Sequence, residues 1–325
     1  MKAILVEKDS TRLYIGEVED LRPGADELLV DVKATALNRA DLLQKRGLYP
    51  PPPGASEIIG LEMAGVVKEV GSNVAGWKPG DRVCALLPGG GYAQQVTIPA
   101  GMAIPIPDHF SFEEAAAIPE VFLTAYLNLF FLGKLQQGQT VLIHAGASGV
   151  GTAAIQLVRE VGATSIVTAG SAEKLDACLT LGANNAINYK EGPFAPAVKE
   201  LTGGKGVHII LDFIGASYFE QNVKSLAMDG KLIIIGTMGG AKAENVNLGL
   251  LLFRRLQVIG TALRSQPVEK KIELTQSFID FALPRFKDDR LVPVIDSIYE
   301  WEEVNEAHDR MEQNLNTGKI VLKVR

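Results

Sequence analysis

A strand-like run, Val141-Leu142-Ile143-His144-Ala145, leads into Gly146-Ala147-Ser148-Gly149-Val150-Gly151-Thr152. Glycines placed this way do chemistry through the backbone. At the start of a helix the first N–H groups lack intrahelical partners and the helix dipole presents its positive end, so a phosphate can be held there. The spacing is G-x-x-G-x-G rather than G-x-G-x-x-G, and a tight strand-to-helix turn would use the same glycines. The strand before and the helix after favour a dinucleotide loop. The next strand, Ser165–Ala169, bears on which dinucleotide. It ends Gly170-Ser171-Ala172-Glu173-Lys174. NAD sites place Asp or Glu about 20 residues after the loop, on the ribose hydroxyls. Gly170 stands there instead. Ser171 offers a hydroxyl and Lys174 a cation one turn into the next helix, a set suited to the 2′-phosphate of NADPH. Glu173 is the opposing charge, expected to point elsewhere as a helix neighbour. Read alone, Lys174 is an ordinary solvated lysine.

Other polar residues have plainer readings. Asn38 and Asp41 follow a strand and suit turn or helix-cap chemistry. Tyr49 precedes Pro50-Pro51-Pro52-Pro53 and can simply pack on that stiff turn. His144 is the most tempting catalytic histidine, but a residue under the phosphate loop reads as structural. His109, His208 and His308 lie in separate segments and suggest no triad. The Phe130-Phe131 pair and Trp301 read as core.

These residues need a scaffold. The first hundred residues carry strand candidates at 28–34, 64–71, 80–86 and 92–98, with no helical pattern between the last three, as in a largely antiparallel β-barrel. Ser111 with Glu114 forms a capping box onto a helix, and a longer helical pattern runs through Leu123, Leu127 and Phe130. Strands and helices then alternate. Helices are expected from Gly149, with Ala153, Leu157, Val158 and Val161 on one face, and over 172–181. Strands are expected at 186–189, 207–212, 231–236 and 256–260. The continuous apolar runs at 207–212 and 231–236 suit strands buried on both faces of a parallel sheet. Six such strands make a doubly wound dinucleotide fold. The tail adds helices near 268–282 and 301–313 and a strand at 319–324.

The 325 residues allow about two domains. A net charge of −6, with both signs scattered, leaves no basic footprint for nucleic acid. No apolar window is long enough for a bilayer span, and the N-terminus lacks a signal-peptide core. Cys84 and Cys178 stand alone, which suits a reducing, cytoplasmic setting and cannot by itself build a zinc site.

The sequence is identified as a member of the medium-chain dehydrogenase/reductase superfamily and resembles its zinc-free quinone oxidoreductases. The likeness rests on Ala36-Leu37-Asn38-Arg39-Ala40-Asp41, Gly60-Leu61-Glu62-Met63-Ala64-Gly65-Val66-Val67, Gly80-Asp81-Arg82-Val83, the glycine loop and Gly318-Lys319-Ile320-Val321-Leu322, and it runs nearly end to end. Tyr49 to Ser56, Leu86 to Gly91 and the loop from His144 resemble the subgroup induced by a tumour suppressor in animals. The resemblance implies a GroES-like catalytic domain over 1–120, a Rossmann domain over 121–262, and a segment over 263–325 that returns to the catalytic domain. It also implies an active cleft between the two and a homodimer or homotetramer.

Residue by residue, the resemblance places Tyr49, Asn38 and Asp41 as the catalytic group, with Thr124 near the nicotinamide. It gives Gly146, Ser148, Gly149 and Val150 to the pyrophosphate, and Ser171, Lys174 and Tyr189 to the 2′-phosphate. Ile214, Gly215, Gly236, Thr237 and Met238 line the nucleoside and ribose side. Leu263, Arg264 and Asn316 are further cofactor contacts, and Phe253 a weaker one. Zinc-containing relatives carry Cys where Asn38 stands, His where Leu61 stands, and a lobe of four cysteines. Glu62 and Asp41 alone make a poor zinc site, so none is expected.

Hydride transfer to a plain ketone benefits from a Lewis acid, whereas a quinone needs less help because its reduction makes an aromatic ring. NADPH-dependent reduction of quinones, ortho-quinones first, is therefore the expected activity, with Tyr49 binding the acceptor oxygen or offering a proton. An NADPH-dependent 2-alkenal or enoyl reductase is the second reading. A binding or structural protein regulated by NADPH is the third.

Overall fold

The computed structural model describes residues 1–244 and 246–325. Its contacts divide the chain into two compact units, Met1–Leu123 with Leu263–Arg325, and Thr124–Ala262. In chain order the first unit begins with β1 (Lys2–Val6), β2 (Leu13–Glu17), β3 (Glu27–Ala36), α1 (Arg39–Gln44), β4 (Glu62–Val70), β5 (Arg82–Leu86), β6 (Gln95–Pro99), β7 (Ile104–Pro105) and α2 (Phe112–Ala116). Next comes α3 (Pro119–Tyr126), which carries the chain across the division between the units. The second unit holds β8 (Thr140–Ile143), α4 (Gly149–Glu160), β9 (Thr164–Ala169), α5 (Ala172–Leu181), β10 (Asn185–Asn188), α6 (Phe194–Leu201), β11 (Val207–Asp212), α7 (Phe219–Ser225), β12 (Leu226–Ile234), α8 (Leu248–Arg254) and β13 (Gln257–Gly260). The tail returns to the first unit with α9 (Val268–Lys287), β14 (Ile295–Glu300), α10 (Val304–Glu312) and β15 (Lys319–Lys323).

The first unit is built on β3. Nearly all of it pairs with β4, its N-terminal half also pairs with β6, and its end pairs with β15 from the tail. The pairings of this seven-stranded sheet are antiparallel, except that β14 and β15 run parallel. Leu28, Val30, Val32, Met63 and Val67 pack with Trp301, Ile320 and Leu322, so the tail completes the core. Several details differ from the sequence reading. The fourth strand starts at Gln95 rather than Tyr92. The first tail helix continues to Lys287 with Pro284 inside it. A 3-10 turn (Trp301–Glu303) precedes α10. β14 was not foreseen, because Ile295–Glu300 is half-buried almost throughout and shows no alternation.

The second unit is a six-stranded parallel sheet ordered β10-β9-β8-β11-β12-β13. Counted within the unit this is 3-2-1-4-5-6, the doubly wound dinucleotide order. Its middle strands β8 and β11 are almost wholly buried, as their apolar runs require. Beyond α3 the chain makes a π-helical turn, Leu127–Leu132. Phe130 and Phe131, expected in a core, are half-buried on this turn and pack on Tyr126 at 4.6 and 6.1 Å between centroids. Among the described residues no helix is long and apolar enough to cross a membrane.

The start of α4 lies tight on the glycine loop. A Cβ at Gly151 would come within 2.4 Å of the Gly146 carbonyl oxygen and 2.5 Å of that of Ala145. Backbone atoms cannot swing aside, so Gly151→Ala should cost about 1–3 kcal/mol, as other overpacked sites do. The expected outcome is a lower thermal unfolding midpoint by calorimetry; an unchanged midpoint would show that the loop has room to yield.

Candidate active site

In the second unit, the residues expected to hold a dinucleotide gather at the C-terminal ends of the parallel strands, the ligand edge of such sheets. Gly146, Ser148, Gly149 and Val150 follow β8. Gly170, Ser171 and Lys174 follow β9, and Tyr189 follows β10. Ile214 and Gly215 follow β11, and Gly236, Thr237 and Met238 follow β12. Ser148 caps α4 by accepting the Gly151 N–H at 3.1 Å. Ser171 caps α5, accepting the Lys174 N–H at 3.4 Å. A Cβ on Gly170 would meet the Tyr189 hydroxyl at 2.5 Å, so a side chain at the position where NAD sites carry an acid would displace the Tyr189 ring. Glu173 lies in the first turn of α5. Its carboxyl is held below its ordinary value by its own backbone N–H and then by the Ser171 side chain. Thr124 is buried and its carbonyl accepts from Asn128 Nδ2 at 2.7 Å; Phe253 stands exposed on α8.

A buried polar chain braces these loops. Asn222 Nδ2 donates to Asp212 Oδ2 at 3.1 Å, which turns its Oδ1 toward His144 Nε2 at 2.7 Å. Nε2 therefore carries the proton, and His144 Nδ1 accepts from the Thr168 hydroxyl at 3.0 Å. Asp212 Oδ1 accepts the N–H groups of Ile214 at 2.8 Å and Gly215 at 3.0 Å. The loops after β11 and β12 are bonded to each other through Gly239 N–H to Ile214 O and Ala216 N–H to Gly240 O. His144 is thus a strut, as expected, and burial lowers its pKa to about 4. The role of Asp212 was not foreseen; its strand reads simply as apolar.

In the first unit Asn38 and Asp41 stand at the start of α1. Asn38 N–H donates to Asp41 Oδ2 at 2.7 Å, so the cap reading is part of their role. Asn38 also joins a buried ion pair. Lys319 Nζ lies 2.6 Å from Glu62 Oε1 and donates to Asn38 Oδ1 at 2.8 Å and the Leu37 carbonyl at 2.6 Å. Asn38 Nδ2 donates to Glu62 Oε1 at 2.8 Å, and the Glu120 N–H donates to Oε2 at 2.8 Å. The sequence held no local sign of Lys319 in this role.

Asp41 opens a second buried set. Tyr92 donates its hydroxyl to Asp41 Oδ2 at 3.3 Å and sits 3.1 Å from His308 Nε2. His308, read from sequence as belonging to no constellation, is therefore the end of one. Asp41 Oδ1 and His308 Nδ1 are buried without a partner. Asn316 Nδ2 donates to the Gly318 carbonyl at 2.8 Å in the turn before β15.

Tyr49 is half-buried. The Arg264 guanidinium lies 5.0 Å from its ring centroid, and Arg264 Nη1 donates to its carbonyl at 3.3 Å. Arg264 further donates through Nε to Pro88 O at 2.8 Å and through Nη2 to Gln44 Oε1 at 2.7 Å. Leu263 beside it is buried. The Tyr49 hydroxyl makes no hydrogen bond to any described residue, which leaves it free for a ligand.

The donors around Asn38 do not fit a zinc ion. Leu61 is apolar and buried, the Asn38 amide is spent, and an ammonium already occupies the Glu62 carboxylate. Among the described residues no three His, Cys, Asp or Glu side chains come together as a metal cluster.

The model described as an alcohol dehydrogenase GroES-like domain matches residues 24–108, and the one described as a zinc-binding dehydrogenase matches residues 149–278. The chain belongs to the medium-chain dehydrogenase/reductase superfamily, with quinone-oxidoreductase-like proteins among its relatives. It is 32% identical to the human synaptic vesicle membrane protein VAT-1 homolog, over 97% of this chain and 83% of that protein. It is 32% identical to quinone oxidoreductase-like protein 2 of Bos taurus, over 96% and 89% respectively. Among solved structures, the quinone oxidoreductase of Escherichia coli complexed with NADPH matches with a TM-score of 0.86 at 30% identity, covering 99% of each chain.

Burial makes Asp41 a pH sensor of stability. It pushes the carboxyl up to about 7, with Glu62 adding to the effect and Asn38, Lys319 and Tyr92 opposing it. The unfolded carboxyl titrates near ~3.9. Between those values the native state keeps a proton that the unfolded chain has lost, so this contribution is full below about pH 4 and is lost as pH rises toward 7. His144 and His308, lowered to about 4 and about 3 by burial, act oppositely and cost stability as pH falls below about 6.5. Asp41→Asn cannot ionise, so wild type should lose stability relative to the variant as pH rises from 4.5 to 7.5 in urea unfolding. Parallel curves would refute a raised Asp41.

Proposed function

We propose that this chain is an NADPH-dependent quinone reductase that works without a metal and takes ortho-quinones ahead of simple alkenals. Tyr49 carries the acceptor reading: its ring is backed by Arg264, its carbonyl is pinned, and its hydroxyl has no partner among the described residues. Burial, and Glu120 after it, push the Tyr49 hydroxyl above its ordinary value against the pull of Arg264. The phenol therefore stays protonated at neutral pH and donates to the acceptor oxygen. With Pro50–Pro53 the ring offers a flat wall for a planar acceptor.

When bound, NADPH supplies the hydride. Ser148, Gly149 and Val150 hold its pyrophosphate at the start of α4. Ser171, Lys174 and Tyr189 surround the 2′-phosphate, and the loops braced by Asp212 take the nucleoside. Glu173 is the charge that opposes the phosphate. With Lys319 seated on Glu62, a zinc ion has no place to assist a reluctant carbonyl, which favours an acceptor whose reduction yields an aromatic ring. The likeness to the NADPH-complexed quinone oxidoreductase supports the same reading.

Two outcomes follow. A charge-assisted hydrogen bond is worth about 1.5–3 kcal/mol, so Lys174→Ala should weaken NADPH roughly tenfold or more in equilibrium titration and leave NADH nearly unchanged. Equal losses for both cofactors would move Lys174 out of the phosphate site. Tyr49→Ala should raise the quinone KM more than it changes NADPH affinity. Side-by-side kcat/KM values on a fused-ring ortho-quinone and a medium-chain 2-alkenal decide the acceptor class, and a clear win for the alkenal would replace quinone reduction with alkenal reduction.

A further inference from the structure

Arg264 and Lys271 are both buried, at 6% and 5% exposure. Their contacts are all neutral. Arg264 reaches Pro88 O, Tyr49 O and Gln44 Oε1, and Lys271 Nζ donates to the Arg264 carbonyl at 3.1 Å. Among the described residues neither has a carboxylate at ion-pair distance. Buried charges are ordinarily paired, since an unpaired one costs several kcal/mol. Lys271 is further disfavoured by its place in the first turn of α9, the positive end of a helix dipole. Burial, then Arg264, holds its pKa below the ordinary lysine value, and burial also lowers that of Arg264. Asp41 and Glu120 act on Arg264 in the opposite sense from beyond contact, so among the described residues the pair has no anion against it.

The guanidinium indicates which anion fits. It has five N–H donors and spends three, leaving one on each terminal nitrogen. Its central carbon lies over the Tyr49 ring at 5.0 Å from the centroid, so the guanidinium neighbours an aromatic face whose phenol hydroxyl has no partner among the described residues. A tetrahedral anion would use the charge but not the ring; a planar, delocalised oxyanion would use both.

We propose that Arg264 and Lys271, with Tyr49, form a binding site for planar aromatic oxyanions, the class that includes ionised hydroxyquinones and hydroquinone monoanions. This inference rests on the reading of Tyr49 as the acceptor wall. It assigns Arg264 to the acceptor side, where the family resemblance gives it to the cofactor.

The test uses the full chain without cofactor and two probes of one ring system, 2-hydroxy-1,4-naphthoquinone, which is ionised at neutral pH, and 1,4-naphthoquinone, which is neutral. Absorbance titration across pH gives both affinity and the pKa of the bound hydroxyquinone. The anion should bind at least about tenfold tighter than the neutral ring, with the bound pKa lowered by about one unit, because a tenfold preference for the ionised form is one unit of pKa. Lys271→Met should remove most of that preference and leave the neutral ring's affinity unchanged. Arg264→Lys keeps the charge and loses the fork, and should show an intermediate loss; thermal unfolding checks that both variants fold. Equal affinity for the two probes, or an unshifted bound pKa, overturns the inference. So does inorganic pyrophosphate displacing the hydroxyquinone in wild type but not in Lys271→Met, which would make this a cofactor phosphate site. NADPH turnover of 1,4-naphthoquinone in the same preparation separates the two levels. If turnover stands while the anion preference fails, only the oxyanion site falls; if turnover is absent, the quinone reading falls.

Discussion

The buried pair of Glu62 and Lys319 is the constraint on which the first unit depends. An ion pair removed from water is tolerated only when its remaining lone pairs and protons are also satisfied. Here the ammonium spends its three donors on Glu62, Leu37 and Asn38. The carboxylate accepts from Lys319 and Asn38 on one oxygen and from the Glu120 N–H on the other. Four segments thereby meet at one point: the end of β3 with the start of α1, β4, the start of α3, and β15. The tail strand carries the ammonium to the N-terminal sheet, so Glu62 has its counter-charge only with β15 paired on β3.

The second unit meets a similar demand without a fixed charge pair at its centre. His144 must be neutral to fit between Thr168 and Asn222, and burial keeps it so. Asn222 passes the constraint to Asp212, whose other oxygen holds two backbone N–H groups of the loop after β11. The result is a loop set by hydrogen bonds from within the protein rather than by a ligand. Such preorganisation lowers the ordering cost of binding a dinucleotide.

What the sequence made legible was local. The strands of the parallel sheet announce themselves because a strand buried on both faces needs an unbroken apolar run, as in Val207–Asp212. The helix start at Ser111 is visible because a capping box is chemistry within a few residues, whereas Ser148 and Ser171, read as phosphate contacts, also prove to cap their helices. Contacts between distant segments were hidden. Tyr92 and His308 are 216 positions apart, and nothing near either names its partner. Lys319 looked like any residue of a terminal strand until the register placed it over Glu62. β14 was missed for a related reason: it is held by its parallel neighbour β15, not by a two-sided pattern of its own.

The first unit deals with buried ionisable groups in three ways, and their arrangement bears on what can bind. Glu62 is neutralised by a cation. Asp41 is raised to about 7, so it is close to half protonated at neutral pH. Arg264 and Lys271 have carbonyl and amide oxygens as their hydrogen-bond partners, with Asp41 and Glu120 acting on Arg264 from beyond contact. At Tyr49 the Arg264 guanidinium and the Glu120 carboxylate pull the phenol in opposite directions. A positive field in a low-dielectric setting favours whichever state of a bound molecule carries more negative charge. For an acceptor that gains a hydride, that state lies later along the reaction, so the stabilisation grows as reduction proceeds and is not spent on the substrate. On the proposed reading of the acceptor site, Arg264 and Lys271 would take over part of the work that a Lewis-acidic metal does in zinc-containing relatives. The assistance is diffuse, so it is worth most where the new charge is spread over a ring.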